Sequence, residues 1–72
     1  MEKDEALIRI GNNIKLIREE KGITQQDLAY ACNFEKSNMS RIERGRNNLT
    51  IGTLLKICEV LKVSLKEIVD IE

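Results

Sequence analysis

Histidine, proline and tryptophan are absent from these 72 residues, and the aromatics amount to one Tyr and one Phe. With no His and only two cysteines, Cys32 and Cys58, neither a structural zinc site nor a His-based triad can be assembled. Two cysteines make one bridge at most, so no disulfide framework holds the chain together. Both lie in apolar helical patterns, which predicts buried, reduced thiols and a cytoplasmic setting. The opening Met-Glu-Lys-Asp-Glu lacks the apolar run of a signal peptide, and no stretch approaches the ~18 apolar residues of a membrane span. Nor is there an excess of either charge, since 12 Lys and Arg face 12 Asp and Glu. A chain this short buries only about 60% of its unfolded surface and has no room for a second domain. Large clefts and multi-residue catalytic centres are therefore not expected, and no catalytic residue, metal or cofactor is assigned.

What is present reads as a globule. Hydrophobic content of 42% with 33% charged residues excludes a disordered tail. Leu7, Ile10, Ile14 and Ile17 recur at spacings of three and four, which predicts an amphipathic helix over residues 5–21. Gly22 is placed to stop it. Thr24 offers an N-cap, with Asp27 favourable to the helix dipole, for a second helix at about 25–32 that turns Leu28, Ala29 and Cys32 inward. Asn33 tolerates left-handed backbone, so a sharp turn is expected there. Met39 and Ile42 anchor a third short helix over 35–43, ending near Gly45. Thr50 caps a fourth, with Ile51, Leu54, Leu55, Cys58 and Leu61 as its apolar positions. Ser64 and Glu67 form a capping box that opens a last short helix carrying Leu65, Ile68 and Val69. Five helices and no strand signal make an all-α fold.

Charge is balanced globally but not locally. Residues 36–48 carry Lys36, Arg41, Arg44 and Arg46 against the single acid Glu43, a net of +3 on a chain that is otherwise slightly acidic. Such a stretch is the electrostatic footprint of a phosphate backbone, although alone it is as consistent with a solvated helix face. Helical geometry adds to it. With Met39 and Ile42 turned to the core, Lys36, Ser37, Ser40, Arg41 and Arg44 project outward together, and Asn38 lies at the edge of that face. These are side chains that read base edges: Arg and Lys suit guanine, Asn suits adenine, and Ser accommodates several partners.

The stretch TQQDLAYACNFEKSNMSRIERGRNNLTIGTLLKICEVLKV resembles the lambda-repressor-like (Cro/repressor, XRE-type) helix-turn-helix family, over about residues 9–69. Thr24 and Gln25 open the second helix of the pattern, Leu28 and Ala29 lie within it, residues 40–45 close the third, and residues 49–55 open the fourth. The chain departs from the family at Asn33, where Gly is usual. Ala29 must be small because helices 2 and 3 cross closely there.

The resemblance implies a single DNA-binding domain over residues 1–72, with the helix-turn-helix at about 25–44. It implies base contacts from Lys36, Ser37 and Arg41, with Arg41 foremost for specificity, and a base or backbone contact from Asn38. Phosphate contacts are implied for Gln25, at a helix N-terminus that favours an anion, and for Arg44, Arg46, Asn47 and Asn48. Asn47 and Asn48 serve equally as a simple turn before helix 4. Arg18 is implied to pair with Glu43, tying helix 1 to helix 3.

One such domain reads only a few base pairs, so the expected partner is double-stranded DNA bound as a pseudo-palindrome by a homodimer. Val60, Val63, Leu65, Ile68, Val69 and Ile71 exceed what a terminal helix needs for one core, and of these Val63, Leu65, Ile68, Val69 and Ile71 are assigned as the dimer surface. The function implied is a transcriptional regulator such as a phage-type repressor or a restriction–modification controller protein, cytoplasmic and bacterial or phage-encoded. The alternatives are an antitoxin, with a toxin as protein partner, and an interaction module that has kept only the fold.

Overall fold

The computed structural model describes residues 1–70, which form five helices joined by short turns. In order these are α1 (Lys3–Glu20), α2 (Gln25–Cys32), α3 (Lys36–Glu43), α4 (Ile51–Leu61) and α5 (Leu65–Val69). The fold is all-α, and no strand occurs among the described residues. α1 begins two residues before the predicted start. Asp4 and Glu5 occupy its first turn, where they complement the dipole, and the Glu2 carbonyl accepts from the Ala6 amide at 3.0 Å.

Each helix boundary has a local cause. Thr24, Thr50 and Ser64 cap α2, α4 and α5 by accepting from the amides of Asp27, Thr53 and Glu67. At α5 the Glu67 carboxylate returns a bond to the Ser64 amide, completing the capping box. The first four helices each close on a left-handed residue: Gly22, Asn33, Gly45 and Lys62, with φ of 71°, 62°, 73° and 59°. At Asn33 the following amide, that of Phe34, reaches back to the Ala29 carbonyl at 2.8 Å and turns the chain sharply between α2 and α3.

Lys62 is the costly member of that set, because its Cβ crowds the backbone where glycine has none. Replacing it with Gly is expected to raise stability by ~0.5–1 kcal/mol and the melting temperature by about 2–8 °C. Thermal unfolding followed by circular dichroism checks this, and an unchanged or lower Tm would mean that the lysine side chain offsets its own strain.

The core is built from Ile14, Leu28, Met39, Ile42, Ile57, Leu61 and Ile68, all essentially inaccessible, with Ala29, Cys32, Leu54 and Cys58 around them. Both cysteines are free, and burial holds their thiols above the usual pKa range. The inward stripe of α4 is Leu54, Ile57, Cys58 and Leu61. Of the apolar positions predicted at helical spacing, Ile51 and Leu55 lie on the flank of that stripe and are 62% and 50% exposed. α5 is far too short to be stable alone. It is held by the burial of Ile68 and by Asn13 of α1, whose amide donates to the carbonyls of Ile68 at 2.8 Å and Asp70 at 2.6 Å.

α1 approaches α3 backbone to backbone. A Cβ on Gly11 would fall well inside contact distance of the Ile42 carbonyl oxygen and 2.7 Å from that of Glu43. One turn upstream, a Cβ on Gly45 would lie 2.5 Å from the Ile8 Cα, at a residue whose positive φ already favours glycine. These two glycines set how closely the end of α3 sits on α1.

Candidate nucleic-acid interface

α3 has eight residues, and three of them hold it in place. Met39, Ile42 and Glu43 are buried, Lys36, Ser37 and Arg41 are exposed, and Asn38 and Ser40 are half-buried; Arg44, the C-cap just past the helix, is exposed as well. The inward and outward sets are those of an ordinary helical period, and only the buried acid is unusual. Glu43 is 7% exposed and Arg18 of α1 is 8% exposed. The Arg18 Nε donates to one Glu43 oxygen at 2.7 Å and its terminal nitrogen donates to the other at 3.0 Å, a bidentate pair. That hydrogen bond holds the guanidinium above its ordinary pKa against the opposing effect of burial.

Two further bonds extend this pair. Arg18 donates to the Ile23 carbonyl at 2.9 Å, and the Gln25 amide nitrogen donates to Glu43 at 3.0 Å. The N-terminus of α2 is thus bound to the C-terminus of α3 through one carboxylate. The sequence contained no signal for the Gln25 bond, because the two residues lie 18 positions apart on different helices of the motif.

Electrostatically, the arrangement removes the only acid of residues 36–48 from the surface. Lys36, Arg41, Arg44 and Arg46 all remain exposed, so the face is more positive than the sequence arithmetic suggested. Lys36 borders α2, near Asp27 and Tyr30, whereas Asn38 borders the loop that follows α3. Arg44 folds back along its helix, with Nε donating to the Ser40 carbonyl at 3.3 Å. Arg44, Arg46, Asn47 and Asn48 line one side of a cleft of about 470 Å³, and Lys3, Asp4, Leu7 and Ile8 of the α1 start line the other. Lys3 was not singled out from the sequence, since only the fold brings its cation to this loop.

A family model described as helix-turn-helix matches residues 14–68, which includes α2, the Asn33 turn, α3 and most of the remaining chain. The chain belongs to the helix-turn-helix family. An uncharacterized HTH-type transcriptional regulator of Sinorhizobium fredii, y4dJ, is 38% identical over 60 residues, covering 83% of this chain and 78% of that one. The control protein C.MunI of a Mycoplasma species is 36% identical over 67 residues, 90% of each chain. The crystal structure of the restriction-modification controller protein C.AhdI from Aeromonas hydrophila matches with a TM-score of 0.82 at 27% identity, over 86% of this chain and 94% of that one. The five-helix lambda-repressor-like fold follows from this agreement together with the helices described above.

Within the helix-turn-helix unit, Ala29 is 2% exposed, consistent with the close helix crossing its small side chain permits. The surface assigned to a partner copy needs correction. Ile68 is wholly buried in the intramolecular core, where α5 packs on α1, so it has no face to offer a second chain. Val60, Val63, Leu65 and Val69 are half-buried and pack against the same core, and Ile71 lies outside the described residues. The apolar side chains that α4 leaves in solvent are Ile51 and Leu55, four residues apart.

Proposed function

We propose that this helix-turn-helix protein is a sequence-specific transcriptional regulator that lays α3 in the major groove of double-stranded DNA. One observation carries the reading: α3 and its C-cap expose Lys36, Ser37, Arg41 and Arg44 together, while Glu43, the single acid of residues 36–48, is turned inward and paired with Arg18. A face of donors and small hydroxyls with no large apolar residue suits base edges and phosphates better than a protein surface. In this reading Lys36, Ser37, Asn38 and Arg41 meet bases. Gln25 meets a phosphate through the amide atoms that Glu43 leaves over, and Arg44, Arg46, Asn47 and Asn48 hold the backbone beyond the helix.

Selection of sites from a random duplex pool at physiological salt tests the proposal. Enrichment of an inverted repeat supports a dimeric sequence reader, and a pool left unchanged by folded protein would overturn it. Arg41→Ala is expected to cost ~1–3 kcal/mol on the selected site and to relax preference at one base pair. Uniform weakening on every sequence would make Arg41 a backbone contact instead. Arg46→Ala should weaken all sequences alike and reduce the salt slope by about one.

The regulator acts as a homodimer in this reading, since one copy spans too few base pairs for an operator. Ile51 and Leu55 are the exposed apolar residues of α4 available to that contact. Sedimentation equilibrium over micromolar concentrations would refute dimerisation by returning a monomer throughout.

A further inference from the structure

The start of α1 overhangs the loop that follows α3. Gly45 admits the Ile8 backbone against that loop, since a Cβ there would lie 2.5 Å from the Ile8 Cα. At 1.5 Å per residue, the five residues from Ile8 back to Lys3 carry α1 roughly 7.5 Å past the contact. Lys3 therefore stands on one wall of the cleft of about 470 Å³ that Arg44 and Arg46 line from the other. All three cations are exposed.

The chain does not neutralise this convergence. Lys3 and Arg46 make no ion pair among the described residues, and the Arg44 guanidinium donates to a neutral carbonyl, that of Ser40. Asp4 is the one acid on the lining, so three cations face one anion, a net of +2. Glu5, the next acid along α1, is engaged by Arg9 at 3.1 Å. Leu7 and Ile8 complete the α1 wall with apolar surface, and Ile8 is left 55% exposed there. Charges of one sign beside low-dielectric walls focus their field on whatever enters between them, and an anion there relieves their mutual repulsion.

We propose that this cleft seats a phosphodiester of the bound DNA strand, and that Lys3 is a further phosphate-contact residue, closing on the strand from the side opposite Arg44 and Arg46. This rests on α3 being the reading helix, which lays the strand along the loop. The grip then comes from two elements that are far apart in sequence. The contact carries no base information; it adds affinity and fixes how the domain sits on the duplex. Asp4 opposes it, because its carboxylate lines the same cleft as the bound phosphate.

The test compares Lys3→Gln, Asp4→Asn and Lys66→Gln with the unaltered protein on its selected duplex, in titrations from 50 to 200 mM salt. Lys66 is exposed on α5 and outside the cleft, so its loss reports the effect of net charge alone. Lys3→Gln is expected to weaken binding to all sequences alike and to reduce the salt slope by about 0.9, so that its deficit shrinks about threefold across that range. Asp4→Asn should tighten binding to all sequences, and Lys66→Gln should leave the slope unchanged. Ethylation of the DNA phosphates locates the contact: one phosphate in each half-site whose ethylation hinders the unaltered protein should no longer matter to Lys3→Gln. Circular dichroism confirms that each variant is folded. A Lys3→Gln protein with the slope and ethylation pattern of the unaltered one, or with a slope change equal to that of Lys66→Gln, overturns the proposal while leaving α3 as the reader. Failure of the unaltered protein to select any duplex overturns both.

Discussion

Gly11→Ala should lower stability by about 2–3 kcal/mol and the melting temperature by roughly 10–20 °C, although alanine is the better helix former. The added methyl would have to enter space held by the carbonyls of Ile42 and Glu43. Those are backbone atoms at the end of a packed helix, so no side-chain rotation can relieve the clash. α1 and α3 must separate, which opens the core at Ile14 and Ile42 and tilts the outer face of α3. A fall in DNA affinity should therefore accompany the fall in Tm. Gly52→Ala is the control, since a Cβ there approaches nothing closer than the Thr50 hydroxyl at 3.8 Å. In the first turn of α4 it should raise stability by ~0.5–1 kcal/mol. A Gly11→Ala protein as stable as the parent would show that the helices can part without cost, and would remove this account of how α3 is seated.

The second large effect concerns the buried ion pair. Arg18→Met or Glu43→Gln alone should each cost about 3–5 kcal/mol, because each leaves the opposite group buried without its charged partner. Arg18→Met also strips the Ile23 carbonyl of its donor. The double substitution Arg18→Met, Glu43→Leu removes both charges together and should recover most of that loss. Urea denaturation of the parent and these three variants measures the losses and the recovery. Single-variant costs below ~1 kcal/mol would place the pair with exposed surface ion pairs, which contribute little.

Local chemistry was legible in the sequence, and tertiary proximity was not. The boundaries of α2 and the turn at Asn33 followed from Thr24, from the period of Leu28, Ala29 and Cys32, and from the tolerance of Asn for left-handed backbone. All of these act within a few residues. α4 was harder. It is apolar around most of its circumference, with Ile51, Leu54, Leu55, Ile57, Cys58, Val60 and Leu61, and periodicity then marks a helix without saying which side faces in. Only its packing partners decide, and they chose Ile57 over Ile51 and Leu55. Gly11 carried no signal, because its importance lies in the carbonyls of residues more than thirty positions away.

The site divides along the same line. Helical period placed Lys36, Ser37, Ser40, Arg41 and Arg44 on one face; all are exposed except Ser40, which is half-buried. The pairing of Arg18 with Glu43 came from family resemblance, since nothing in the spacing of residues 25 apart suggests it. The bonds from Gln25 to Glu43 and from Asn47 to Asn38 join side chains across turns, and no periodic pattern encodes such contacts. Lys62 in a left-handed conformation was equally invisible, because lysine is not a residue that announces a turn.

The seating of α3 has an evolutionary consequence. Its position depends on Met39, Ile42, Glu43 and the cleared space at Gly11, none of which is exposed. Lys36, Ser37 and Arg41 contribute nothing to that seat. Substitutions there can accumulate with little loss of stability, so operator preference can drift while the scaffold stays under purifying constraint. A duplicated copy could in this way acquire a new regulatory target through two or three outward changes. The same separation makes the reading face a natural place to randomise when a regulator for a chosen DNA sequence is sought.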